Sequence, residues 1–234
     1  NVAASLKTAL SLVPDRVALF GYAHVPWMRK HQAMIREEDL ADVGGRWSQA
    51  EAAEAVLMAN GYIRIGMDHF AHPGDAMAAR LEDGGLRRNF QGYTDDPAAV
   101  LIGLGPSAIS AFPQGFSQNA SRTDHWAMAL KHGRLPVSRQ LATTGEDRLR
   151  GAVIEQLMCR LEVDVESVCV EQGYPAGTLD EGLESARSLM ADGLCTVSGR
   201  RIRVSAELSR LVRVVAACFD RQAAPPSSRH SLAI

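Results

Sequence analysis

Three short blocks hold residue types able to do chemistry: Tyr22-Ala23-His24, Asp68-His69 and Arg87-Arg88-Asn89. An Asp-His pair can serve acid–base chemistry or bind a metal, since a carboxylate beside imidazole sets its tautomer and basicity. It can equally be a structural hydrogen bond. No third ligand stands at zinc-site spacing, so a protein-bound zinc finds poor support. The adjacent arginines, in a Gly-flanked loop, could grip carboxylates through bidentate hydrogen bonds or lie solvated on the surface. Gly103-x-Gly105, ahead of Ser107-Ala108-Ile109-Ser110, would let a ligand approach the backbone closely, but it is not a phosphate-binding G-x-G-x-x-G.

These blocks need elements to position them. A 3.6-residue apolar stripe over 1–13 predicts a helix closed by Pro14. A strand follows at Arg16–Gly21. Residues 28–45 read as a loop with a helical turn at 36–41, and Trp47–Ala59 as a helix stopped by Asn60-Gly61. Further strands are predicted at Tyr62–Met67 and Leu101–Leu104, with 68–100 irregular between them and a helix at Thr123–Lys131. The alternation argues for α/β architecture in which the three strands are parallel neighbours. His24, Asp68 and the Gly105 turn all follow strands, where ligands bind in open parallel sheets. Three strands cannot close a barrel, so the sheet is expected to be part of a larger one.

After about residue 140 the pattern changes, and a second domain is expected from 141 to 222. Helices are predicted at Glu146–Leu161, 164–172 and 179–191, then a hairpin at 194–205 about Ser198-Gly199 and a helix at 206–219. Three helices, a hairpin and a helix resemble a winged-helix domain. Residues 223–234 (Pro/Ser-rich) read as a loose tail. Six arginines against two acidic residues over 200–221 would suit nucleic-acid phosphates, yet they read better as decoration of a helix whose other face is apolar.

Composition narrows the class. The 234 residues are 46% hydrophobic and 22% charged, with a formal net charge of −2, ordinary for a globular protein without a general pull towards nucleic acid or membrane. No apolar run is long enough to span a bilayer, and the opening residues lack signal-peptide order, so the expected location is cytoplasmic. Cys159, Cys169, Cys195 and Cys218 match no iron–sulfur or C-x-x-C spacing and sit among apolar neighbours, as buried free thiols do.

Taken together, GYAHVP (21–26), GMDHFA (66–71), RNFQGY (88–93) and GLGPSAIS (103–110) resemble, in order and spacing, the C-terminal half of oxygen-independent coproporphyrinogen III oxidases, which are radical S-adenosylmethionine (SAM) enzymes. The likeness runs on through LMC (157–159), DGL (192–194) and ACFD (217–220). The resemblance implies the C-terminal half of a partial (β/α)6 barrel over 1–140, followed by a mostly helical, winged-helix-like domain. It implies a 4Fe-4S cluster and two SAM molecules in the complete enzyme, a monomer. A 5′-deoxyadenosyl radical would abstract hydrogen from a propionate of coproporphyrinogen III. Loss of CO2 and an electron would leave a vinyl group, twice over, giving protoporphyrinogen IX. Carried over by motif, Ala23 would lie against one SAM, and Gln91 and Ile109 would line the second SAM or substrate pocket. The chemistry of the residues themselves, apart from the resemblance, adds Asp68, Arg87 and Arg88 as expected substrate contacts. The family's C-x3-C-x2-C cluster motif has no counterpart here, so this chain is expected to be inactive without the missing N-terminal half. Two other readings stand beside it: a haem-handling relative without oxidase activity, and a winged-helix nucleic-acid-binding module.

Overall fold

The computed structural model describes residues 2–222; the tail expected to be loose lies outside them. Helix α1 (Val2–Leu10) leads through Pro14 into strand β1 (Arg16–Ala18). Two 3-10 turns, Lys30–Met34 and Glu37–Asp39, occupy the polar loop, and α2 (Val43–Ala59) starts where Asp42 accepts a hydrogen bond from the Gly45 N–H. The chain returns as β2 (Ile63–Ile65), so α2 is a crossover between strands that run the same way.

Those strands are not neighbours. Strand β3 (His69–Ala71) lies between them, antiparallel to both. The cause is Gly66, whose φ of +61° lets the chain reverse within Gly66-Met67-Asp68 and pair straight back onto β2. The expected parallel trio is therefore corrected on two counts: β3 intervenes, and no strand forms at 101–104. Leu101 makes a single bridge to Ala111, because the Gly103-x-Gly105 turn interrupts pairing. The segment 68–100, read as irregular, holds β3, helix α3 (Ala76–Glu82) and the hairpin β4 (Arg87–Asn89)–β5 (Gly92–Thr94). An antiparallel meander follows, β6 (Ile109–Phe112), β7 (Gly115–Asn119) and β8 (Val137–Ala142), with α4 (Thr123–Lys131) between the last two.

Helix α5 (Gly145–Arg160) opens with a capping box. The Thr144 hydroxyl accepts from the Asp147 N–H, and the Asp147 carboxylate accepts from the Thr144 N–H. Its buried stripe includes Leu149, Val153 and Leu157. Strand β9 (Glu162–Asp164), α6 (Val165–Glu171) and α7 (Asp180–Ser188) precede the hairpin β10 (Thr196–Ser198)–β11 (Arg201–Arg203), whose second strand pairs with β9. The predicted final helix breaks into a 3-10 stretch (Ala206–Leu211), α8 (Val212–Ala216) and a 3-10 turn (Ala217–Phe219).

Three cores hold these layers. Leu6, Ala53, Leu57, Tyr62 and Phe70 join α1 and α2 to the first sheet. Ile65, Met77, Leu86, Tyr93 and Cys159 join that sheet to α5, and the largest core runs from Leu149 to Phe219. A polar clasp adds to them. Glu54 of α2 receives both Arg64 of β2 and Arg210 of the 3-10 stretch, with side-chain exposures of 18, 22 and 14%. Arg64 also donates to the Ala206 carbonyl at 2.7 Å and to the Ser209 hydroxyl. Removing the shared carboxylate strands two half-buried guanidiniums beside each other. Glu54→Gln should therefore cost about 3 kcal/mol in urea unfolding; a loss within the scatter expected of surface substitutions would show the clasp to be idle.

Candidate active-site cavity

Since β1 and β2 run the same way, the segments leaving them emerge at one sheet edge. Leu19–Tyr22 follows β1, Gly66–Asp68 follows β2, and the Leu19 N–H donates to the Asp68 carbonyl at 2.8 Å. These segments wall a cavity of about 580 Å³. Leu19, Phe20, Met67 and Phe70 make it apolar; Arg46, Arg88, Arg210, Arg213, Asp39 and Asp68 supply its charge. An apolar pocket with a few charged groups, at the carboxyl edge of strands, is where a ligand of moderate size is expected.

Asp68 and His69 form one unit. The Asp68 Oδ1 lies 2.6 Å from the His69 Nδ1, with both side chains nearly buried. With Asp68 a carboxylate, Nδ1 carries the proton and Nε2 is left as an acceptor. Edge contacts from Phe20 (ring centroids 6.0 Å apart) and Tyr93 (5.3 Å) fix the imidazole plane. Asp68 faces the large cavity, whereas His69 lines a smaller one of about 360 Å³ with Arg16, Asn89, Gln91 and Tyr93.

Tyr93 locks this unit in place. Its hydroxyl donates to the Met158 carbonyl at 2.8 Å and accepts from the Met67 N–H at 3.2 Å. Burial pushes the phenol well above its ordinary range, so it stays a neutral donor. The Arg88 guanidinium sits 5.5 Å from its ring centroid. Two glycines make the packing possible. A Cβ on Gly66 would meet the Tyr93 ring at 2.0 Å, and one on Gly92 would meet the His69 ring at 2.7 Å.

The residues singled out in the sequence divide as follows. Asp68 and Arg88 line the large cavity; Gln91 is exposed and lines the small one beside His69. Arg87, the strand neighbour of Arg88, turns the other way and meets Glu155 of α5 at 3.1 Å. Ala23 stands in an exposed loop, its carbonyl accepting from the Gln32 side chain, and Ile109 is half-buried opposite Gln118 in the meander. Neither lines either cavity. Among the described residues no group of three His, Cys, Asp or Glu side chains could hold a metal ion.

Sequence reasoning missed Arg46, Arg210, Arg213 and Tyr93. Arg210 and Arg213, assigned to an outward helix face, instead line the cavity. The wing arginines do decorate the surface, and they are paired: Arg200 with Asp180, Arg201 with Glu162 and Asp164, Arg203 with Glu162. A wing whose positive charge is spent on its own acidic neighbours lends no support to a nucleic-acid-binding module.

Comparison with known proteins bears on the remaining readings. No protein-family model matches the chain. The oxygen-independent coproporphyrinogen III oxidase of Paracoccus denitrificans is 44% identical over 220 residues, covering 94% of this chain and 49% of that protein. The oxidase of the same name from Bradyrhizobium diazoefficiens is 40% identical over 230 residues, covering 98% of this chain and 51% of its own. The solved structure of Escherichia coli coproporphyrinogen III oxidase, described as a radical SAM enzyme, superposes with a TM-score of 0.86 at 33% identity, over 94% of this chain and 51% of that one. This chain resembles half of an oxygen-independent coproporphyrinogen III oxidase. It spans about half the length of the curated relatives it matches.

A radical SAM relative implies an iron–sulfur cluster, and the cysteines here do not fit one. Cys159, Cys169 and Cys195 are buried and Cys218 half-buried, all free, and burial pushes the Cys159 thiol up to about 12. Cluster ligation needs converging thiolates. What the oxidase-like blocks do build is the Asp68–His69 unit, and its integrity can be read directly. Gly92→Ala, at a φ of +136° and against the imidazole, should displace His69 and abolish the hydrogen-bonded Nδ1 proton resonance in NMR spectra. An unchanged resonance would mean that the hairpin does not set the ring.

Proposed function

We propose that this chain is the C-terminal half of an oxygen-independent coproporphyrinogen III oxidase, and that it supplies one wall of the site where propionate side chains are oxidatively decarboxylated to vinyl groups. One observation carries the reading. Three blocks shared in the resemblance, remote from one another in sequence, meet at one cavity: Tyr22 from GYAHVP, Met67 and Asp68 from GMDHFA, and Arg88 from RNFQGY.

The roles open to this chain's own residues are binding and orientation. The apolar walls of the large cavity exclude water from a flat, greasy substrate, and its arginines offer counter-charges for carboxylates. Asp68 holds the His69 tautomer, leaving Nε2 to accept a hydrogen bond beside Gln91. Gln91 is assigned to ligand contact in the small cavity. Ala23 and Ile109 line neither cavity of this chain, so contacts of theirs with SAM depend on walls from the rest of the complete protein. Cluster chemistry belongs to that remainder too.

The test is reconstitution. The chain joined to the missing half, loaded anaerobically with iron and sulfide and given SAM, a reductant for the cluster and an electron acceptor, should convert coproporphyrinogen III to protoporphyrinogen IX. Gln91→Ala should lower that turnover by roughly tenfold or more, through loss of positioning, with the thermal midpoint unchanged. These 234 residues alone should show no stable cluster absorbance and no SAM cleavage. Release of 5′-deoxyadenosine by the chain alone, or full turnover in Gln91→Ala, would overturn the assignment.

A further inference from the structure

The C-terminal 3-10 stretch and α8 lie more than a hundred residues beyond Arg46 and Arg88 in sequence, yet Arg210 and Arg213 reach the same cavity as those two. Among the described residues, four guanidiniums and two carboxylates, Asp39 and Asp68, line it. Arg210 is held rigidly. It donates to the Ala50 carbonyl at 2.9 Å, pairs with Glu54, and lies with its guanidinium carbon 5.6 Å from the Trp47 ring centroid. A pre-set guanidinium loses little entropy when it takes an anion.

The charge balance points the same way. Glu54 serves both Arg64 and Arg210, so one half-buried carboxylate answers two half-buried cations, with Glu51 and Glu207 contributing only from a distance. Burial first, and then for Arg64 the neighbouring Arg210, hold both guanidiniums below their ordinary range. Such a surplus is relieved by a bound anion. Guanidinium forks match carboxylates two bonds at a time, and Leu19, Phe20, Met67 and Phe70 provide an apolar surface for whatever carries them.

We propose that Arg210 and Arg213, together with Arg88, form the carboxylate-binding wall of the cavity, taking up the acidic side chains of a flat, apolar polycarboxylate. The identity of that polycarboxylate as the porphyrinogen rests on the proposed function; the wall itself does not. The geometry thus gives the winged-helix-like part a share in recognising substrate.

The test is equilibrium binding to the chain as it stands, by fluorescence titration with three probes: coproporphyrin III, its tetramethyl ester, and benzene-1,2,4,5-tetracarboxylate as competitor. Coproporphyrin III should bind and the ester should not. Arg88→Gln and Arg213→Gln should each weaken binding about tenfold with unchanged thermal midpoints, and Arg213→Lys should recover only part of the loss. Coproporphyrin affinity unaltered in both glutamine variants would overturn the wall while leaving the proposed function standing. Arginine-dependent binding of the benzene tetracarboxylate without binding of coproporphyrin would keep the wall and remove the porphyrinogen reading.

Discussion

The Tyr93 hydroxyl is the point on which the cavity's geometry turns. It is buried, neutral, and satisfied on both sides, by the Met67 N–H and by the Met158 carbonyl. Those partners belong to different parts of the molecule: the reversal after β2, and the end of α5. A buried hydroxyl with one partner removed would carry a desolvation penalty of about 1–3 kcal/mol, so the loop and the helix are held at one separation. The ring does the rest. It braces His69 edge-on, supports Arg88 on its face, and fills the space that a side chain at residue 66 would need. The glycines of GMDHFA and RNFQGY are thus two halves of one steric requirement, each leaving room for an aromatic ring contributed by the other block.

A second coupling spans the same boundary by charge instead of packing. Glu54 draws Arg64 and Arg210 together, so that the C-terminal segment closes over the carboxyl edge of the first sheet. Packing at Tyr93 sets where Asp68 and His69 sit; the Glu54 clasp sets where Arg210 sits. A cavity assembled from residues 19–22, 39–50, 67–70, 88 and 210–213 depends on both, since no single element supplies more than a fraction of its wall.

Much of this was legible in the sequence. Elements with strong periodicity or explicit stops came out close to their observed bounds: α4, α5, and the hairpin about Ser198-Gly199. Asp68 and Arg88, both singled out by type and position, line one cavity, and the motif likeness named a chemistry that composition could not. What failed did so for physical reasons. Strand β3 is three residues long, too short for period-2 alternation to register, and its pairing follows from a left-handed glycine that also fits an ordinary loop. Leu101–Leu104 has strand-like residues, but its glycines leave only one bridge. Arg210 looks like a solvated charge on an amphipathic helix until the helix breaks into a 3-10 stretch and its partner, Glu54, arrives from 156 residues away. Ion pairs across such separations leave no local mark on the sequence.

The central claim, that this cavity is where the porphyrinogen is held, is tested most directly by amide hydrogen exchange with and without coproporphyrin III. Ligand should slow exchange together at 19–22, 66–69, 88–93 and 209–213, while the core helices α5 and α7, already protected, should not change. Slowing confined to the meander from 109 to 142, or to the wing at 196–203, would contradict it.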